Sequence, residues 1–217
     1  MRRRSFLRLG LAGVGGAAVG AWSACAAGSE RDAPPRPARD GGRVLLAYFS
    51  RPGENHWTGG RRDLEVGNTE VLARKISARL DCDVHRVEAA DPYPAGYDET
   101  VQRNVREQET DARPEIADPL ASIDGYDTIL LASPIWNVRA PMIMSTFTES
   151  YDFARKTVHP LTTHAMSGLG TTPEDYAKSC KGARIGAGFA IRGEAVRSGG
   201  SAIDSWLRRA GVGQRAR

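Results

Sequence analysis

Cysteine is scarce in this chain, whose 217 residues include three: Cys25, Cys82 and Cys180. No two of them have the close spacing of a zinc or iron–sulfur site, so the sequence excludes those metal centres. Two catalytic signatures are also missing. The absence of a G-x-S-x-G turn weighs against an α/β hydrolase, and the absence of a G-x-G-x-x-G fingerprint weighs against a resident nicotinamide dinucleotide.

The N-terminus has the pattern of an export signal. A twin-arginine sequence, Arg3-Arg4-Ser5-Phe6-Leu7, precedes a weakly apolar, glycine-rich stretch that ends in small residues. Residues 1–27 are therefore predicted to be a twin-arginine signal peptide, and we expect an exported protein, periplasmic or at the cell surface. A basic membrane anchor, or a lipid attached to Cys25, remains an alternative. Residues 28–42, rich in Pro, Arg and Asp, are predicted to be a disordered linker.

The chain has no excess of either charge once the signal is removed. Residues 1–27 contain four of the 30 basic residues and none of the 26 acidic ones, so residues 28–217 have a net charge of zero. No basic excess indicates nucleic-acid binding, and no acidic excess indicates docking to a basic partner.

Residues 43–217 alternate between short apolar runs and helix-length amphipathic segments. Five runs have the length of a strand: 44–49, 84–88, 128–133, 157–163 and 183–191. The third run is apolar on both faces, which is typical of a central strand that is covered on both sides. The alternation predicts an α/β three-layer sandwich around a five-stranded parallel sheet of order 2-1-3-4-5.

That strand order separates two cysteines. Cys82 precedes the second strand and Cys180 precedes the fifth, and these strands form opposite edges of the predicted sheet. Four strand spacings put them roughly 19 Å apart, whereas a disulfide needs Cα atoms within about 7 Å. We therefore expect no intramolecular disulfide.

The loop after the first strand has the two ends of a phosphate-binding loop with a long insert between them. Ser50 ends the strand, and Gly67, Asn68 and Thr69 lead into a helix. A strand, a hydroxyl, a glycine and a helix N-terminus in this order direct N–H groups and the positive end of a helix dipole at an anion. A plain helix cap at Asn68-Thr69 is the alternative.

The insert, Arg51 to Val66, is polar and bears glycines. Loops of this length are usually functional or disordered. His56 and Trp57 are candidates to fold over the ligand as a lid.

Two more loops should meet the first at the carboxyl ends of the strands. Together the three loops resemble those of the flavodoxin-like proteins that bind FMN, in particular a bacterial branch with a long phosphate-loop insert. The most specific segments are Ala47-Tyr48-Phe49-Ser50-Arg51, Gly67-Asn68-Thr69, Ser133-Pro134-Ile135-Trp136 and Ser167-Gly168-Leu169-Gly170. The resemblance spans about residues 43–210, and it implies a flavodoxin-like fold with FMN as the cofactor.

The resemblance also implies roles for residues of the three loops. Phosphate donors would be Ser50, Arg51, Asn68 and Thr69. Contacts to the flavin ring would come from Pro134, Ile135, Trp136 and Asn137, and close backbone approach from Ser167, Gly168 and Gly170. No catalytic residue and no metal ligand is assigned.

The chain departs from the family pattern at two points. Asn137 and Val138 stand where relatives usually have a second aromatic residue and a glycine, and Met166 stands where a polar or acidic residue is common. Valine tolerates left-handed backbone geometry poorly. His164 is either a donor near the ring or an ordinary residue at the end of a strand.

The sequence is compatible with two functions. The first is an FMN flavoprotein that transfers electrons or reduces a small acceptor such as a quinone, with an electron donor and acceptor that the sequence does not define. The neutral charge favours a reductase over an acidic electron carrier. The alternative is a binding module of the same fold that holds another phosphorylated ligand, or none.

Overall fold

The computed structural model describes residues 42–213. The predicted signal peptide, Cys25 and all but the last residue of the predicted linker lie outside the described residues. Within residues 42–213, none of the helices has the length and apolar character needed to cross a membrane.

The central sheet is entirely parallel. Its strands are β1 (Val44–Tyr48), β4 (Asp83–Arg86), β5 (Thr128–Pro134), β6 (Thr157–His164), β7 (Arg184–Ile185) and β8 (Phe189–Arg192). A separate antiparallel hairpin is formed by β2 (Gly53–Trp57) and β3 (Gly60–Leu64). The order across the sheet is β4-β1-β5-β6, with β7 and β8 both paired to β6. This arrangement matches the predicted 2-1-3-4-5 order except at the fifth position, which β7 and β8 share.

The predicted count of five strands is wrong, because the single strand expected at residues 183–191 is two short strands, β7 and β8. Between β7 and β8, the Ala187 carbonyl accepts hydrogen bonds from Trp206 Nε1 and from His159 Nδ1, each at 3.0 Å. A Cβ on Gly186 would lie 2.7 Å from His159 Nδ1, so the chain passes directly over that ring. The inward turn of one peptide toward these two side chains therefore interrupts the pairing with β6.

Within residues 42–213, five α-helices and one short 3₁₀ helix flank the sheet. They are α1 (Asn68–Ser77), α2 (Tyr97–Glu109), α3 (Met142–Glu149), α4 (Thr172–Ser179) and α5 (Gly200–Ala210), and the 3₁₀ helix is Gly193–Ala195. Alternate residues of β1 enter two different cores, as a two-residue period requires. Leu46 packs with α1 and α5, and Leu45 packs with α3. The result is the expected three-layer sandwich.

Helix α2 packs through polar residues. Its buried side chains are Thr100, Asn104 and Glu107, whereas Val101 and Val105 are exposed. The buried side chains find partners locally, since Thr100 Oγ1 lies 2.9 Å from the Pro94 carbonyl oxygen and 2.7 Å from that of Gly96. This helix therefore covers polar loops and not the apolar face of the sheet.

The two cysteines of the described region lie at opposite edges of the sheet. Cys82 immediately precedes β4, and Cys180 follows α4 just before β7. They also pack into different cores, Cys82 on the α1–α5 side and Cys180 on the α3–α4 side. This placement agrees with the strand spacing on which the expected absence of a disulfide rests.

Candidate functional site

A cavity of about 330 Å³ lies where β1, β5 and β6 end, at the edge of the sheet predicted to bind a ligand. It contains nine of the eleven residues predicted for the site: Ser50, Arg51, Asn68, Thr69, Pro134, Ile135, Trp136, Asn137 and Ser167. The other two, Gly168 and Gly170, do not line it. The remaining lining residues are Asn55, His56, Tyr97, Val138, Thr163, His164, Ala165, Met166, Gly193 and Glu194.

The two ends of the predicted phosphate loop are in contact. A Cβ on Gly67 would overlap Ser50 Oγ and would lie 2.5 Å from the carbonyl oxygen of Arg51. Only glycine allows this approach, because real Cβ atoms do not come within 3.0 Å of such neighbours. Ser50 Oγ then accepts a hydrogen bond from the backbone N–H of Glu70 at 3.0 Å. The residues that flank the insert thus rebuild one continuous helix entrance.

Hydroxyl and amide groups converge at this entrance. Thr69 Oγ1 lies 2.7 Å from Thr163 Oγ1, and both side chains are buried. The carboxamide oxygen of Asn68 is buried and has no partner within residues 42–213. Because the oxygen and nitrogen of a carboxamide exchange by a half-turn, Asn68 can present an N–H donor there. These groups have the chemistry needed to bind a phosphate dianion.

Most of the Arg51 guanidinium is bonded to the protein backbone. Its terminal nitrogens bond three backbone carbonyls: Nη1 lies 3.0 Å from Pro94 O and 2.7 Å from Ala95 O, and Nη2 contacts Glu54 O. Only Nε is buried without a partner in the described region. Burial lowers the pKa of Arg51, and the nearby Glu54 carboxylate opposes that shift. Arg51 therefore ties the insert to the loop before α2 with three of its five N–H groups, and Nε–H and one Nη2–H are left for an anion.

Trp136 is held at the cavity wall by two other rings. Its ring centroid lies 5.5 Å from that of Phe49 and 5.2 Å from that of Tyr93, both in edge-to-face geometry. Such pairs stabilise beyond simple area burial. The half-buried Trp136 presents a fixed aromatic surface to the cavity.

The backbone after Trp136 forms a tight turn of unusual sequence. Asn137 has φ of +49° and Val138 has φ of +66°, so both central residues are left-handed, as in a type I′ turn. The turn is closed by hydrogen bonds between Trp136 and Arg139 in both directions, at 2.8 and 3.3 Å. Asparagine accepts this geometry, but for a β-branched residue it is strained. Val138 therefore adopts the left-handed conformation that valine tolerates poorly.

The third loop supports the turn. Gly170 has φ of +54°, and a Cβ on it would lie 2.9 Å from the carbonyl carbon of Val138. The Val138 carbonyl accepts a hydrogen bond from the Thr171 N–H at 2.8 Å. Gly168, with φ of +58°, accepts a bond from Thr162 Oγ1 at 2.8 Å. The two glycines therefore shape the loop behind the cavity, while Ser167 reaches it.

His164 ends β6 at the cavity, and its Nδ1 is buried without a hydrogen-bond partner in the described part of the chain. Burial lowers the pKa of His164, and the charge of Arg192 lowers it further, while Glu194 acts in the opposite direction. The imidazole is therefore held neutral near pH 7, with one buried nitrogen left for a ligand or a water molecule.

The insert folds as the β2–β3 hairpin, over the cavity. At its base, the Glu54 N–H donates to the Ala95 carbonyl at 2.8 Å, and Glu54 Oε2 accepts from the Tyr97 N–H at 3.1 Å. Arg61 makes a two-pronged bond to Asp98 at 2.6 and 2.9 Å. At its tip, Thr58 Oγ1 donates to Glu194 Oε1 at 2.8 Å. The hairpin thus connects the start of α2 to the 3₁₀ helix.

Of the two candidate lid residues, His56 lines the cavity and Trp57 does not. Trp57 lies instead under the Arg62 guanidinium, 4.9 Å from the ring centroid. Asn55 is the other hairpin residue at the cavity.

Four lining residues lie outside the three loops that the sequence predicts for the site. Thr163 lies near the end of the predicted fourth strand, and its hydroxyl group was the one feature of the sequence that could have indicated a place in the site. Gly193 packs against Asn68, since a Cβ on it would lie 3.2 Å from Asn68 Cγ. Glu194 and Tyr97 line the cavity beside the hairpin, where Glu194 is bonded to Thr58 and Tyr97 to Glu54. Nothing in the sequence near either residue indicates these contacts.

A larger groove, about 670 Å³, lies elsewhere along α2 and residues 110–115. Two of its arginines are already paired, Arg103 with Glu107 at 2.7 Å and Arg113 with Glu149 at 2.6 Å. It contains none of the converging loops at the strand ends, so the smaller cavity is the candidate site.

Comparison with known proteins agrees with this geometry. The chain is 28% identical to a protein of Bacteroides uniformis that is provisionally named a flavoprotein; the match covers 77% of this chain and 99% of that one, with a TM-score of 0.63. A similarly named protein of Bacteroides eggerthii is 26% identical over 79% of this chain and 99% of its own, with a TM-score of 0.64.

A third similar structure, from Lactobacillus acidophilus, is a flavoprotein in complex with FMN. It is 22% identical over 76% of this chain and 98% of its own, with a TM-score of 0.52, a likeness that concerns the fold alone. No curated protein sequence matches the chain. The family model for flavodoxin matches residues 64–209, and this chain therefore belongs to the flavodoxin family.

Proposed function

We propose that this protein binds FMN in the cavity at the strand ends and acts as a redox flavoprotein. The observation that carries the proposal is the rebuilt phosphate loop, in which Gly67 closes against Ser50 beside an aromatic cavity wall. The FMN complex of the Lactobacillus acidophilus protein, which shares the fold, supports it.

The residues present fit the cofactor. Ser50, Asn68, Thr69 and the first N–H groups of α1 would hold the phosphate, and the partnerless Asn68 carboxamide has the place and chemistry of a phosphate ligand. Trp136 and the loops at Asn137 and Ser167 would hold the ring. When bound, the flavin supplies one- or two-electron transfer, which no side chain can. The protein's own part is to orient the ring, exclude water and limit access.

We propose a small acceptor, such as a quinone, in preference to a protein partner. The β2–β3 hairpin places Asn55 and His56 at the cavity and its tip is bonded to Glu194, and we expect this cover to hinder a flat protein surface from reaching the ring. The rim carries two exposed apolar side chains, Val138 at 55% and Met166 at 81%, which suit an apolar molecule. The balanced charge of residues 28–217 adds to this, because it lacks the electrostatic steering of an acidic carrier.

We also propose export by the twin-arginine route, on the sequence of residues 1–27 alone. A reporter that is active only after export in the folded state, fused to residues 1–42, tests this. Replacement of Arg3 and Arg4 by lysine should abolish export, and unchanged export would contradict the assignment.

Colour is the primary test of the cofactor. The purified full chain should be yellow, and heating should release FMN and not FAD. Ser50→Ala should then weaken FMN more than riboflavin, because Ser50 is placed at the phosphate, whereas Ser77→Ala at the far end of α1 should change neither. A colourless protein that takes up no added FMN would leave the alternative of a binding module for another phosphorylated ligand.

A further inference from the structure

Gln108, in the last turn of α2, is hydrogen-bonded to the tight turn at Trp136–Arg139 in the cavity wall. We propose that Gln108 is a positioning residue, which holds the strained turn at Trp136–Arg139 and thereby fixes the surface against which the flavin binds. The flavin part of this inference rests on the proposed function, whereas the clamp itself concerns only residues that the structure describes.

The turn needs an external hold. Val138 is left-handed at φ of +66° and 55% exposed, so burial of its own side chain does little to stabilise this conformation. Sparsely populated backbone geometry of this kind persists only where the surroundings over-determine it. Valine recovers a relaxed backbone if the turn opens, so the contacts around it must oppose that change.

Gln108 bonds two consecutive residues of the turn with the two ends of its amide. Nε2 donates to the Trp136 carbonyl at 3.2 Å, and Oε1 accepts from Asn137 Nδ2 at 2.9 Å. A second bond from Nε2 to Asn104 Oδ1, at 3.1 Å, orients the amide from within the helix. Asn104 is only 3% exposed, so the series of hydrogen bonds from Asn104 through Gln108 to the turn begins at a buried side chain.

A second hold acts on the other half of the turn. The Thr171 N–H donates to the Val138 carbonyl at 2.8 Å, and Gly170 leaves no space for that carbonyl to move toward it. Two of the carbonyls of this turn, those of Trp136 and Val138, are therefore committed to the protein. The cavity wall enters ligand binding already arranged, which reduces the ordering cost of binding.

The test compares Gln108→Leu with Gln102→Leu, an exposed position on the same helix. In the full chain without added FMN, amide hydrogen exchange at Arg139 should be about tenfold faster in Gln108→Leu than in the control, since loss of a bridging amide exposes the turn to local opening. Gln108→Glu keeps the size and the acceptor for Asn137 but loses the donor to Trp136, so it should give a smaller increase. Exchange at Arg139 that equals the control in both variants would overturn the clamp.

With cofactor, Gln108→Leu should weaken FMN and riboflavin by the same factor, about tenfold, because the change lies at the ring and not at the phosphate. It should also shift the midpoint potential of the bound flavin, a quantity that a purely structural loss of stability leaves unchanged. Faster exchange with an unchanged potential would show that the turn is not the flavin wall. Failure of the wild-type chain to bind FMN would refute the proposed function, and the exchange result would still decide the clamp.

Discussion

Substitution of Gly67 by alanine tests the rebuilt phosphate loop most directly. The added methyl group would overlap Ser50 Oγ and would lie 2.5 Å from the Arg51 carbonyl oxygen and 2.8 Å from its carbon. Ser50 Oγ can rotate away, but the Arg51 carbonyl is backbone and cannot. The two ends of the loop must therefore move apart.

The expected cost has two parts. Forcing a methyl group into a closed contact costs about 1–3 kcal/mol. Loss of the bond from the Glu70 N–H to Ser50 Oγ, which caps α1, costs about 1 kcal/mol more. We therefore expect the free energy of unfolding to fall by about 2–4 kcal/mol. Affinity for FMN should fall further than affinity for riboflavin, because only FMN uses the displaced helix entrance.

Urea unfolding and fluorescence titrations with FMN and riboflavin measure both effects. Gly213→Ala is the matched control, since a Cβ there has no neighbour within 4 Å. A Gly67→Ala variant that is as stable as the control and retains the wild-type ratio of FMN to riboflavin affinity would refute the argument, because the loop ends would then not need their close approach.

Three further predictions follow from buried or bridging side chains. Burial lowers the pKa of His159, so the unfolded chain binds a proton at a higher pH than the folded chain does, and the free energy of unfolding falls as the pH drops below about 6.5. In urea unfolding, the free energy of unfolding of His159→Gln should fall less steeply with decreasing pH, by at most about 1.4 kcal/mol per pH unit. A slope equal to that of the wild type would contradict this. Thr58→Val removes the bond to Glu194 and should speed FMN dissociation in stopped-flow by a few-fold, about the worth of one exposed bond, whereas an unchanged rate would mean that the hairpin tip does not retain the ligand. Burial raises the pKa of the Cys180 thiol to about 12. In a variant whose other two cysteines are replaced by serine, Cys180 should react about a hundredfold more slowly with a disulfide reagent in the native protein than in urea. Equal rates would contradict its burial.

The sheet could be predicted because its strands are covered on both sides. Residues 129–132 are apolar without interruption, and a run of this kind has few alternatives to a buried parallel strand. The ends of such strands then fix where a ligand binds, which is why nine of the predicted residues line one cavity. The positions of the strands follow from patterns that each segment carries by itself.

The features that escaped prediction depend on contacts between distant segments. The break between β7 and β8 arises because Trp206 and His159 both bond the Ala187 carbonyl, and neither is near it in sequence. The polar face of α2 is buried and its two valines, Val101 and Val105, are exposed, because polar loops lie beneath this helix. Val138 is left-handed because Gln108 and Thr171 hold the turn from two sides, against the local preference of the residue.

The hairpin insert shows why a phosphate loop can be divided without loss of its geometry. The closure entropy of a loop grows only with the logarithm of its length, so residues 51–66 add about 1 kcal/mol over a short loop. The insert offsets this cost with its own strand pairing and with bonds from Glu54 and Arg61 to the start of α2. The proposed anion site then depends on the close approach of Ser50 to Gly67, and not on the length of the chain between them. A phosphate loop of this kind is defined by the contact of its ends, and the chain between them is free to become the cover of the cavity.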